Sequence, residues 1–257
     1  MAVDPPAPRA AGDATARGPD GRGGPHVFVD DLDDPRLPGS DLDHLTRSLR
    51  LRAGDALTVS DGRGRWRPCR LGSSGHPVPA GDIVSVARPV PAITVAFAPV
   101  KGDRPEWAVQ KLTEIGVDHV GLLSTARSVV RWDDERGPRH LERLTRVARE
   151  AAMQSRQVWL PTVHPPQPLA TAAARPGVAL ADARGEPPSL SHCTLLVGPE
   201  GGWTDEERAL APAVALGPGV LRAETAAVVG GALLAALRSG LVAAHDAPSG
   251  TNLPAAT

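Results

Sequence analysis

The sequence predicts an α/β protein in two parts, a small strand-rich, barrel-like module followed by a larger domain on a mostly parallel sheet. Three observations predict it. Before residue 88 apolar and polar residues alternate, as in ALTVSDGRGRWRPCRL (Ala56 to Leu71), the pattern of a hairpin with one wet face. After residue 91 come continuous apolar runs such as ITVAFAPV (Ile93 to Val100), separated by stretches of helical period, as expected of strands buried on both faces and their crossover helices. Between the two, Arg88-Pro89-Val90-Pro91 can continue neither a helix nor a central strand. The expected division is residues 25–90 and 91–245, with 1–24 a disordered extension rich in Pro, Gly and Ala and 246–257 a flexible tail.

In the first module His26 to Val29 reads as a strand and Ser40 to Leu49 as a helix with Ser40 as N-cap. Strands follow at 56–60, 65–71 and 82–87, with Asp61-Gly62-Arg63-Gly64 as the hairpin turn. In the second part the strand from Ile93 leads to a helix over DRPEWAVQKLTEIG. Pro105 stands near its start, Ala108, Leu112 and Ile115 share a face, and Gly116 is its stop. Next come a strand at 119–124, a long helix from about 139 to 156 carrying Leu141, Leu144, Ala148 and Ala151, strands at 178–182, 194–197 and 214–216, and a small-residue helix over 224–237.

Composition limits the function. The formal net charge of −1 means that any nucleic-acid contact must come from a local patch. Such a patch exists: His44 to Gly72 holds seven arginines (Arg47, Arg50, Arg52, Arg63, Arg65, Arg67, Arg70) against Asp55 and Asp61. Arg63, Arg65 and Arg67 alternate and would share one strand face, suited to phosphate, although a solvated face in an arginine-rich chain has the same pattern. Two distant cysteines and scattered histidines predict neither a disulfide nor a metal site. No apolar run is long enough to span a bilayer and no signal-type segment opens the chain, which predicts a cytoplasmic protein.

Two glycine-proline turns stand where an open α/β sheet binds ligands, at the carboxyl ends of strands. The first, LLVGPEGGWTDEE (Leu195 to Glu207), is neither a phosphate loop nor G-x-G-x-x-G. Thr204 and Glu207 form a capping-box pattern, and Glu200, Asp205, Glu206 and Glu207 would repel phosphate while favouring a cationic ligand such as S-adenosylmethionine. A plain capped helix after a tight turn is the simpler reading of the same residues. The second turn, LGPGVLRAETA (Leu216 to Ala226), repeats the layout, with apolar Leu216, Val220 and Leu221, and with Arg222 and Glu224 at the mouth.

Together these two segments resemble the C-terminal signatures of the ribosomal RNA small subunit methyltransferase E family, uridine N3 methyltransferases of the SPOUT superfamily. The resemblance extends to KGDRPEWAVQKLTEIGVDHV, ARSVVRW, REAAMQSRQVWLP, HLTRSLRLRAGD and DGRG, and covers nearly all of His26 to Val242. It implies an N-terminal PUA-like RNA-binding domain, a C-terminal trefoil-knotted domain that binds S-adenosylmethionine, and a homodimer acting on 16S rRNA. The glycine pair Gly230-Gly231 would suit helix packing between subunits or relieve crowding within one.

By that resemblance Leu196, Gly198, Pro199, Glu200 and Gly201 form the first cofactor loop, and Leu216, Gly217, Pro218, Leu221 and Thr225 the second. Arg222, Glu150 and Glu224 are the catalytic candidates, Arg222 for stabilising charge on the uracil oxygens and the two glutamates as proton acceptors. Arg47, Arg50, Arg63, Arg65, Arg67, Lys101, Arg127, Gln154 and Arg156 are the expected RNA contacts, with Arg127 and Arg156 also alternatives for charge stabilisation. The chain departs from the family pattern at Gly219, where arginine is usual, at Ala223 and Met153, and at His26, where arginine is frequent. A non-catalytic RNA-binding protein of the same fold and a methyltransferase with another target nucleotide are the alternatives.

Overall fold

The computed structural model describes residues 17–129 and 137–243. The expected tail, Val130 to Trp132 of the ARSVVRW segment, and residues 1–16 of the expected extension lie outside the described residues. Two compact units cluster from the contacts, one of residues 1–90 with 145–162, the other of 91–144 with 163–257. The first thus takes in residues 145–162, which the division expected from the sequence puts in the second domain.

The first unit opens with β1 (His26–Phe28), then α1 (Gly39–Asp43), a wider π-type turn over His44–Ser48, and β2 (Ala56–Ser60). The helix starts with Pro38, not Ser40, as its N-cap; Ser40 lies within the first turn and no side chain caps the helix. β3 (Arg65–Leu71) pairs antiparallel with β2 as the alternation predicts, and with β4 (Pro77–Pro79) and β5 (Val84–Ser85), while β1 runs parallel to β2. The apolar side of these strands forms a core of Val27, Val29, Leu45, Leu57, Val59, Cys69 and Leu71. Residues 17–24 are not free chain. Trp66 Nε1 donates to the Arg17 carbonyl at 3.0 Å, and a Cβ on Gly24 would stand 1.8 Å from the Ala56 carbonyl oxygen.

The second unit contains β6 (Thr94–Phe97), α2 (Arg104–Ile115) and β7 (His119–Ser124). Pro105 sits in the first turn of α2, and Gly116 ends it at φ 89° in the left-handed region. α3 (Gly137–Gln154) follows and passes from this unit into the first; its Leu144, Ala148 and Ala151 are buried. Then come β8 (Thr162–Pro168), α4 (Leu169–Ala173), β9 (Val178–Glu186), β10 (Thr194–Val197), α5 (Asp205–Arg208), β11 (Ala213–Val214) and α6 (Ala223–Arg238).

The sheet order is β11-β9-β10-β6-β7-β8; the first five run parallel. α6 packs on α2, β6 and β10. A Cβ on Gly230 would come within 2.1 Å of Leu195 and one on Gly231 within 2.6 Å of Leu112, so this pair is used inside the subunit. Among the described residues no helix is long and apolar enough to cross a membrane, and no cluster of three or more His, Cys, Asp or Glu side chains could hold a metal.

Candidate functional site

In the second unit β10 and β11 each run into one of the two glycine-proline loops. These loops, with residues 181–183 of β9 and the first turn of α6, enclose a cavity of about 270 Å³. The first loop is folded around Trp203, which is 2 % exposed and donates from Nε1 to the Ala181 carbonyl at 3.0 Å. A Cβ on Gly198 would lie 3.0 to 3.2 Å from that indole, so any larger residue would require the ring to give by a few tenths of an ångström. Both capping-box bonds are present. Glu207 N donates to Thr204 Oγ1 at 3.2 Å and Thr204 N to Glu207 Oε2 at 2.9 Å, while Glu207 Oε1 accepts from Ala126 N.

These contacts revise the charge reading of the loop. Glu207 is used in the cap, and Arg208 bridges Asp205 at 3.0 Å and the cavity-lining Asp182 at 3.1 Å. Glu200 lines the cavity, and Glu224 stands on α6 between the lining residues Ala223 and Ala226. Both carboxylates meet Arg104 at the start of α2. Arg104 Nη1 lies 3.2 Å from Glu200 Oε1 and 3.4 Å from Glu224 Oε1. The hydrogen bond to Glu200 and the charge of Glu224 hold the guanidinium above its ordinary range. Glu224 is 6 % exposed, and its second oxygen, Oε2, is buried with no hydrogen-bond partner among the described residues.

Of the expected cofactor residues, Gly198, Pro199, Glu200, Leu216, Gly217 and Leu221 line the cavity. Leu196 is buried within β10, Gly201 faces the Arg127 side chain, Pro218 is exposed, and Thr225 is half-buried in α6; none of these four lines it. Arg222 is the exposed N-cap residue of α6, between the lining residues Leu221 and Ala223. Arg127 braces the first loop, donating to the Gly201 carbonyl at 2.8 Å and the Trp203 carbonyl at 3.3 Å. Lys101 is exposed in the turn before α2. Sequence reasoning does not single out Arg104, although it opens the predicted helix and lies within KGDRPEWAVQKLTEIGVDHV, one of the segments that carry the family resemblance.

Glu150 does not line this cavity. With Gln154 and Arg156 it lines a larger one, of about 1130 Å³, in the first unit, together with His26, His44 and Arg149. There Arg149 pairs with Asp41 at 2.7 Å, and Arg156 donates to the Gly24 carbonyl. His26 is buried, with Nδ1 2.8 Å from Thr58 Oγ1 and Nε2 3.2 Å from the Gln157 carbonyl. Burial pushes its pKa down to about 4, assisted by the nearby Arg156 charge and opposed by the bond to Gln157.

The basic strand face is less available than its charge count suggests. Arg67 is turned inward, its side chain 15 % exposed, donating to the Gly81 carbonyl at 2.7 and 3.0 Å and to the Leu32 carbonyl at 3.1 Å. Arg65 pairs with Asp61 at 2.7 Å and Arg47 with Asp43 at 3.2 Å. Arg63 and Arg50 are exposed, the latter at φ 58°.

Residues 87–235 match the family model of the RNA methyltransferase domain and residues 37–76 that of the RNA methyltransferase PUA domain. A ribosomal RNA small subunit methyltransferase E from Mycobacterium bovis is 33% identical over 79% of this chain and 87% of its own length. The chain belongs to the ribosomal RNA small subunit methyltransferase E family. The Synechocystis member is 34% identical over 78% of this chain and 72% of its own. Among solved structures, a ribosomal RNA small subunit methyltransferase E from Neisseria gonorrhoeae bound to S-adenosyl methionine superposes with a TM-score of 0.70 at 28% identity, covering 83% of this chain and 97% of that one. A probable rRNA-methyltransferase from Porphyromonas gingivalis gives 0.71 at 29% identity, over 85% and 100%. As a member of this family the chain is an S-adenosylmethionine-dependent rRNA methyltransferase whose α/β fold carries a PUA-like first unit.

Proposed function

We propose that the chain methylates N3 of one uridine in 16S rRNA, with the methyl donor held in the cavity of the second unit. The observation that carries this reading is the cavity itself. It is walled by the two glycine-proline loops, and the carboxylates of Glu200 and Glu224 share the single Arg104 guanidinium beside it. The donor set fits S-adenosylmethionine, because two carboxylates against one guanidinium leave a negative balance for a cation, and the glycine backbone lets an adenosine approach closely. When bound, S-adenosylmethionine supplies an electrophilic methyl group on a sulfonium.

The protein has to make the uracil imide nitrogen nucleophilic. Its proton must leave, and the negative charge that develops on the flanking carbonyl oxygens must be stabilised. Arg222, exposed between two lining residues, is the group proposed for the oxygens, and Glu224 the proton acceptor. Glu150, on the first unit, is the alternative acceptor. Arg63, Arg50, Arg47 and Lys101 are the proposed phosphate contacts, with Gln154 and Arg156 in the first unit's cavity. The trefoil knot, the homodimer, the cytoplasmic location and the division of roles between residues 25–90 and 91–245 belong to the same reading.

Mass spectrometry of ribosomal RNA from cells with and without the gene tests it: one 3-methyluridine in 16S rRNA is expected to disappear. If no such nucleotide changes, the target assignment fails. If calorimetry shows no S-adenosylmethionine binding at millimolar ligand, the non-catalytic alternative replaces it.

A further inference from the structure

We propose that Arg104, Glu200 and Glu224 form an anionic clamp by which the site prefers the positively charged methyl donor over the neutral thioether left after transfer. The inference rests on the proposed cofactor reading of this cavity and adds to it a means of product release. Two carboxylates converge on one nitrogen, Arg104 Nη1, at 3.2 and 3.4 Å, so the cluster keeps one net negative charge. One carboxylate lines the cavity and the other stands between two residues that do. The buried Oε2 of Glu224 has no hydrogen-bond partner among the described residues. A buried carboxylate oxygen left so is costly unless a ligand completes it.

Donor and product share the adenosine and the amino-acid end, and that end is a zwitterion without net charge. What distinguishes them is the sulfur, positive before transfer and neutral after. A net negative cluster therefore acts on the difference between the two. Arg104 pairs with both carboxylates and so reduces the net charge that the ligand meets.

The test is calorimetric titration of the full chain at about pH 7, where the amino-acid end of both ligands is a zwitterion, with S-adenosylmethionine and, separately, with S-adenosylhomocysteine. The readout is the ratio of the two dissociation constants. Glu200→Gln is expected to shift that ratio roughly three- to tenfold toward equal affinity, and Arg104→Gln to shift it the opposite way. Opposite signs separate a charge effect from damage to the loop, which would weaken both ligands alike. Equal ratios in the wild type and both variants would overturn the clamp while leaving the cofactor reading intact. Absence of binding by both ligands to the wild type would remove the cofactor reading itself.

Discussion

The two units use charge in opposite ways. In the first, a stretch of seven arginines suggests a broad basic face, yet Arg67, Arg65 and Arg47 already have carbonyl or carboxylate partners. In the second, a run of acids suggests a wholly anionic loop, yet Glu207 is spent on a helix cap and Asp205 on Arg208. Among the described residues of that stretch Arg50, Arg52 and Arg63 are exposed without a side-chain partner, while beside the cavity of the other unit Glu200 and Glu224 share one Arg104 and Arg222 is exposed. Counting charges along a chain finds where binding can occur; only their partners show which charges remain for it.

The largest expected effect tests the second unit. Arg222→Ala should lower single-turnover methylation at saturating S-adenosylmethionine by about 10²- to 10³-fold, the usual cost of removing one donor aimed at developing oxyanion charge. The dissociation constant of the cofactor should change little. Wild-type single-turnover rates in this variant would take Arg222 out of the chemistry and turn attention to Arg127 or Arg156.

His26 makes a comparison within the first unit. Its folded pKa of about 4 lies below the unfolded value of 6.5, so above pH 6.5 neither state is protonated. As pH falls below 6.5 the unfolded chain binds a proton that the folded chain refuses, and stability declines until the folded pKa is reached, by about 3 kcal/mol in all. Urea unfolding of wild type and His26→Gln from pH 7 to pH 4 checks this. The two stability curves should converge as pH falls; a constant separation would show that burial of His26 is not what depresses it.

Arg67 and Arg63 sharpen the contrast between structural and available charge. Arg67→Ala leaves the Gly81 and Leu32 carbonyls without their donors and should cost about 1–3 kcal/mol of stability. Arg63→Ala should leave the melting temperature unchanged and lower the salt dependence of RNA affinity by about one phosphate contact. Binding measured across a salt series, beside thermal melts, separates the two. If Arg67→Ala weakened RNA binding without loss of stability, the inward arginine would have to serve the RNA after all.

Much of this arrangement was legible from residue patterns. The hairpin at Ala56–Leu71, the buried strands at His119–Ser124 and Thr194–Val197, and the capped α2 follow from period, turn residues and Gly116. β8 was not legible. Pro165 and Pro166 have no N–H to give to a ladder, and the strand lies at the edge of the sheet, where a missing donor is tolerated. The loops of the site were visible because Gly-Pro turns after apolar runs are local signals. Arg104 was not, because it meets Glu200 across 96 positions and Glu224 across 120, and no local pattern encodes such a meeting. The second unit's lost segment, residues 145–162, has the same cause: one helix period runs through Leu144, Ala148 and Ala151 although the contacts change unit along it.

The smallest expected effect concerns Gly219, which lines the cavity and where the resemblance leads one to expect arginine. A Cβ there meets nothing within 4 Å, so the branch point of a new side chain at this exposed residue is unhindered, and the stability of Gly219→Arg should stay within about 0.5 kcal/mol of wild type. The added cation would face a cavity whose remaining negative balance lies on Glu200 and Glu224. RNA affinity should therefore rise a few-fold through one more phosphate contact, with cofactor affinity unchanged or slightly lower. Filter binding and calorimetry on this variant report the two separately. A marked loss of cofactor affinity without any gain for RNA would mean that the new side chain folds back onto the carboxylates, and that the glycine keeps them open to the donor.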